Sequence, residues 1–348
     1  MLDQARIREV VQHNCDISDA RYARQHTMCI YLLKMREYYR WEKGLSEDAP
    51  LPMGQVSEWV TAREQLWDDL EVRDFDCLPM SDEECLDPFA SADINHMLAP
   101  LGLIYSAGYG RFVKPHFFLA RLHRRDREEG FEVLVSDEEL ARDLSAPPAM
   151  FLNETVYVRR DAMRRLIWER IEEWQWQKTP DGPLARALAL HDYHGDRDRA
   201  LERMTEAEVD TAVWHELGEG LVGRELGEAW EHMVLDLAGS RAELHLRAVR
   251  DMWADALVTL PRLLAEGRDG SLHFYFANLR GLRRALVPGW FAAYGAWTDG
   301  QGAEDLRDCV GRGQERWSRA CGEILARYRE QGTGAVDAIA ETVESALV

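Results

Sequence analysis

Residues 102 to 160 carry aliphatic and aromatic runs broken by Gly, Pro and charged turns, whereas nearly all of the chain around them is patterned for helix. LIYSAGYGRF, HFFLARLH and FEVLVS read as strands of a small antiparallel sheet, with RRDREEG (124 to 130) as a hairpin tip. ETVYVRR (154 to 160) adds a further strand before a helix over 161 to 177. A chain that confines its strands to one block has few folds open to it. The expected class is mainly α, with an N-terminal α+β domain and a C-terminal helical bundle.

Helix starts are read from four matches to the capping box, at Ser81 to Glu84, Ser136 to Glu139, Thr205 to Glu208 and Ser240 to Glu243. In each a hydroxyl and a returning carboxylate can satisfy orphan amide donors. Ile30, Leu33, Tyr38 and Trp41 recur at helical spacing and predict a helix over 17 to 43. The segment KTPDGP (178 to 183) packs two prolines and a glycine behind a long charged helix, a composition that suits a connection between domains. It sets the expected domains at 1–180 and 181–348.

The net charge of −20, from 62 acidic and 42 basic residues, repels phosphate backbones and anionic lipid, so neither nucleic acid nor a membrane is expected as partner. No apolar run reaches the ~18 residues of a membrane span, and the N-terminus lacks the layout of a signal peptide. Six cysteines without a CxxC pair fit reduced thiols, and the expected location is cytoplasmic.

The stretch that comes nearest to a reaction centre is TEAEVDTAVWHELGEG, 205 to 220. On a helix, residues four apart share a face, so His215 and Glu219 can approach one ion while Glu216 projects about 100° away. The spacing resembles that of HExxH zinc helices with Glu219 in the second His position. A carboxylate there moves the preference toward harder ions, so the cofactor expected is a divalent metal: iron, manganese or zinc. HDYHGD (191 to 196) is the expected source of further ligands, His191 or His194, with Glu216 as general base. A surface ion pair beside a solvated turn is the competing account. GEGLVG (218 to 223) matches GxGxxG, but a helix precedes it where that fingerprint needs a strand; its glycines read as a helix end and a site of close backbone approach.

Polar groups among aromatics mark second-tier pocket residues: His273, Tyr275 and Asn278 in SLHFYFANLRG, and Arg36 and Tyr38 in MREYYRWEKG. The runs CIYLLKMREYYRWEKGL, WHELGEG and SLHFYFANLRG resemble those of an uncharacterised family of cytosolic proteobacterial proteins over most of the chain. That resemblance implies a two-part unit and carries no activity over.

Two functions compete. One is a metal-dependent enzyme that delivers activated water or dioxygen to a small molecule. The other is a non-catalytic binding or assembly protein, alone or as a homo-oligomer, whose Trp-rich helical faces dock a protein partner.

Overall fold

The computed structural model describes residues 2–81, 84–110, 113–177 and 181–346. The chain divides into two compact units: Met1–Asp126, Val133–Pro148 and Tyr157–Trp168 form the first, and Arg127–Glu132, Ala149–Val156 and Glu169–Val348 the second. Of KTPDGP, residues 178–180 lie outside the described residues. Among those described, no helix is long and apolar enough to cross a membrane.

Along the N-terminal part run α1 (Gln4–Tyr22), α2 (Met28–Glu42), α3 (Met53–Leu70), a two-stranded hairpin of β1 (Leu78–Pro79) and β2 (Cys85–Leu86), and α4 (Ser91–Leu98). Then come β3 (Leu103–Tyr109), β4 (Pro115–Glu128), β5 (Phe131–Arg142), β6 (Ala149–Leu152) and β7 (Thr155–Arg159), a sheet of order β3-β4-β5-β7-β6, and finally α5 (Arg160–Gln177). β3 and β4 pair antiparallel with Ser106 opposite Phe118. This is the strand block read from the sequence, although residues 111 and 112 of LIYSAGYGRF lie outside the described residues. The hairpin tip is narrower than RRDREEG. β4 continues through Glu128, and only Glu129 (φ 52°) and Gly130 (φ 83°) turn the chain, the left-handed pair that a tight two-residue hairpin requires.

The C-terminal part is helical: α6 (Pro183–Leu190), α7 (Arg197–Leu226), α8 (Glu228–Asp236), α9 (Arg241–Ala254), a five-residue π-helical turn Asp255–Thr259, α10 (Leu260–Ala265), α11 (Asp269–Asn278), α12 (Gly281–Ala285), α13 (Pro288–Thr298), α14 (Glu304–Gln331) and α15 (Val336–Ser345). The π turn falls where Pro261 lacks the N–H that would continue the α ladder.

The capping boxes fare unequally. At Ser240 the hydroxyl accepts from the Glu243 amide at 3.4 Å and the Glu243 carboxylate accepts from Gly239 N–H at 2.7 Å, starting α9. Thr205 starts nothing. Its helix begins at Asp196, whose carboxylate accepts from Arg199 N–H, and the buried Thr205 hydroxyl donates to Leu201 C=O at 2.7 Å. Ser136 and Glu139 lie inside β5, where the apolar run from Phe131 outweighs the cap. Ser81 accepts from the Glu84 amide in the turn between β1 and β2, and residues 82 and 83 between them lie outside the described residues.

Two further expectations change. The helix over 17 to 43 is broken, because the polar run from Arg24 to Thr27 leaves the helical path between α1 and α2. The thiols are not all reduced: Cys77 and Cys85 form a disulfide, with Cα atoms 5.6 Å apart across the β1–β2 hairpin. Their register, Leu78 opposite Leu86, brings the two within bridging reach. Of the tryptophans, Trp67, Trp168, Trp214, Trp230, Trp253, Trp290 and Trp317 are buried, so these rings fill cores.

Candidate functional site

The site is assembled within the second unit by two helices that pack unusually closely. A Cβ placed on Gly218 of α7 would stand 2.7 Å from the Ala254 carbonyl oxygen at the end of α9. Of the glycines of GEGLVG, Gly218 therefore does permit close backbone approach, while Gly220 makes room for the rings of Phe151 and Phe131. These glycines do not end the helix, which runs on to Leu226 and stops at Gly227 with φ 68°.

That approach brings two pairs of side chains, each four residues apart, face to face: His215 and Glu219 on α7, and Asp251 and Asp255 at the end of α9. His215 Nδ1 lies 2.7 Å from Asp255 Oδ1, and its Nε2 lies 3.4 Å from Glu219 Oε1. One ligand atom from each of His215, Glu219 and Asp251 falls within 4.8 Å of the others. Tyr275 of α11 donates its hydroxyl to Asp255 Oδ2 at 2.8 Å. Arg283 of α12 pairs with the same carboxylate, and Arg250 Nη2 reaches Glu219 Oε2 at 2.5 Å.

Exposure grades across the group. Asp255 is 1 % exposed, whereas the side chains of His215 and Asp251 are 22 % and 21 % exposed and that of Arg283 is 33 %. Burial alone would push every acid up. For Glu216 burial leads and the Glu219 charge adds to it, raising the carboxyl to about 8. Asp251 rises to about 6 for the same two reasons, against the pull of Arg283 and Arg250. Glu219 goes the other way: Arg250 and His215 overcome its burial and hold it well below the usual carboxylate range. Burial likewise disfavours the charged forms of His215 and Asp255, and their mutual attraction wins, so that His215 is raised and Asp255 lowered.

Of the ligands expected from sequence, the structure brings His215 and Glu219 together and leaves His191 and His194 elsewhere. HDYHGD is the turn that launches α7, not a loop folded over it. His215 lies nineteen residues beyond Asp196, roughly 28 Å along the axis at about 1.5 Å per residue. The His191 ring instead lies against Gly270, where an added Cβ would be 2.7 Å from Nε2, and the His194 ring is 6.5 Å from that of Trp174. The misplaced helix start at Thr205 caused that error.

Among the second-tier residues only Tyr275 joins the site. His273 bonds the Tyr294 hydroxyl at 2.8 Å between aromatic rings, and Asn278 donates to Phe274 C=O one turn back. Tyr38 is a core ring of the first unit, stacked on Trp41 at 5.4 Å, and Arg36 is half-buried on the same helix. Sequence reasoning did not select Asp251, Asp255, Arg250 or Arg283. The available signal was an i, i+4 acid pair in RDMWAD, at the same spacing as His215 and Glu219 in HELGE.

A family model for the C-terminal domain of a family of unknown function, DUF6866, matches residues 164–346, and the model for its N-terminal domain matches residues 6–159. The chain belongs to this family. No curated protein and no solved structure matches it. The family has no assigned activity to carry over, and the C-terminal match contains every residue of the site.

Proposed function

We propose that the protein is a metal-dependent enzyme acting on a small molecule, with His215, Glu219 and Asp251 as the ligands of a divalent iron, manganese or zinc ion. The observation that carries the reading is the fixed ring of His215. With Nδ1–H donated to the buried Asp255, Nε2 is left to bind, the carboxylate–histidine arrangement common in metal sites. Ligand atoms about 2.1 Å from a tetrahedrally bound ion stand ~3.4 Å apart, and Nε2 and Glu219 Oε1 are 3.4 Å apart. Asp251 closes the set after a small side-chain shift from the 4.8 Å envelope.

The ion would supply an acidified water or an open position for dioxygen. Glu216, with its proton held up to about 8, serves as the acid–base group at neutral pH. Tyr275 and Arg283 hold Asp255, and through it the imidazole. A cytoplasmic location fits the acidic charge and the unpaired cysteines; the Cys77–Cys85 bridge weighs against it.

A second reading has one observation in its favour. Without an ion, protonated His215 with Arg250 and Arg283 balances Glu219, Asp251 and Asp255, a closed network that suits a non-catalytic binding protein. Such a protein would have to dock through surfaces other than its buried tryptophans.

Elemental analysis of tag-free protein, reconstituted in turn with iron(II), manganese(II) and zinc(II), separates the two readings. The enzyme reading expects one ion per chain in the wild type and none in His215→Ala. A wild type that retains no stoichiometric metal overturns it.

A further inference from the structure

Resting on the metal-centre reading, we propose that the site takes a small oxyanion, a carboxylate or phosphate group, bridging the ion and the guanidinium groups of Arg283 and Arg250. These two side chains are the most open of the group, 33 % and 28 % exposed, and they flank the ligands from α12 and α9.

Neither guanidinium is used up by its carboxylate partner. Arg250 meets Glu219 through Nη2, and Arg283 meets Asp255 through Nη2; their further approaches to Asp251, at 3.8 and 3.9 Å, are too long to be hydrogen bonds. The Nε atoms of both are buried without a hydrogen-bond partner, so an anion would be met by the Nη groups. A guanidinium has five N–H donors in a planar fork suited to oxyanions, so each retains donors while already anchored in place.

The charges agree. An ion of charge +2 with Arg250 and Arg283 exceeds Glu219, Asp251 and Asp255 by one positive charge, and merely balances them if Glu216 is ionised as well. The chain as a whole carries −20, so an anion repelled elsewhere meets no repulsion at this place. Three protein ligands leave one position on a four-coordinate ion and two or three on a five- or six-coordinate one. An oxyanion can fill one position with one oxygen and accept from a guanidinium with another.

The test uses the full chain loaded with manganese(II), freed of excess ion, and titrated calorimetrically with oxalate, with inorganic phosphate and with oxamide, the neutral counterpart of oxalate. One oxyanion per chain should bind at least tenfold more tightly than oxamide, and at least tenfold more weakly to the metal-free chain. Oxalate ahead of phosphate assigns a carboxylate, and the reverse a phosphate. Measured per manganese bound, Arg283→Gln should lose tenfold or more in oxyanion affinity, with Arg283→Lys in between. Should Arg283→Gln fail to fold, the wild-type comparison with oxamide still decides. A loaded wild type that binds oxamide as well as the oxyanions, or binds none of them, overturns this inference alone. A chain that takes up no manganese, iron or zinc overturns the metal reading together with it.

Discussion

Each unit contains a cluster of arginines around acids, and the two are built oppositely. In the first unit one carboxylate, Glu139, is fully enclosed among Arg159, Arg165 and Arg142, whose side chains are 1 %, 14 % and 3 % exposed. The guanidinium of Arg159 lies over Phe118 at 4.5 Å, and that of Arg142 over Tyr38 at 5.4 Å. In the second unit several acids and a histidine share two arginines, and most of the group is a fifth to a third open. A sealed cluster with one acid ties strands and helices together. An open one with surplus ligand atoms and an imidazole can admit something from solution. Arg159, Arg165 and Arg142 overcome the burial of Glu139 and bring it down to about 2, whereas the open cluster holds both directions at once, with Glu219 lowered by Arg250 and His215 and Glu216 raised to about 8.

The comparison breaks most readily at Glu139. Glu139→Ala leaves buried guanidiniums without their counter-charge and should cost about 3–5 kcal/mol, read from urea unfolding. A loss below ~1 kcal/mol would mean that the sealed cluster is not structural. Next comes Gly218→Ala, whose methyl group meets the Ala254 carbonyl. It should cost about 1–3 kcal/mol as overpacking and weaken metal uptake in the same variant, because it forces α7 away from α9. Asp251→Asn should change stability by less than ~1 kcal/mol, the scale of a solvated pair, while lowering metal affinity tenfold or more; equal affinity removes Asp251 from the ligand set.

The smallest effect is a slope with pH. Burial raises Glu208, which is bonded to Ser271 and Thr211, from 4.5 to about 8. Its folded pKa exceeds its unfolded one, so its contribution is full below about pH 4.5 and is lost as pH rises through about 8. Unfolding midpoints at pH 6 and 8.5 should therefore diverge less in Glu208→Gln than in the wild type, and an unchanged difference would place the slope elsewhere.

Much of the fold was legible. The strand block and the helical C-terminal half follow from local pattern. What misled were cap signatures standing alone: Ser136 and Glu139 spell a helix start, yet β5 claims them because the apolar run FEVLVS has already set the strand in which they lie, through Arg142. At the site, His215 and Glu219 were readable because one helix spaces them. Asp251, Asp255 and Arg283 come from α9, the π turn and α12, and tertiary packing brings them to His215 from among the many acids and arginines of this chain.

The π turn at Asp255–Thr259 bears on how relatives are compared. Asp255 is in phase with α9, while Tyr275 and Arg283 return to it from downstream, beyond the extra residue that the wide turn accommodates. A relative one residue shorter between 255 and 259 would still align at every side chain of the group. Its downstream helices would be rotated by about 100° and drawn back by about 1.5 Å, so Asp255 would keep His215 and lose Tyr275 and Arg283. For this family, the length of that short segment is as informative as the identity of any residue in the site.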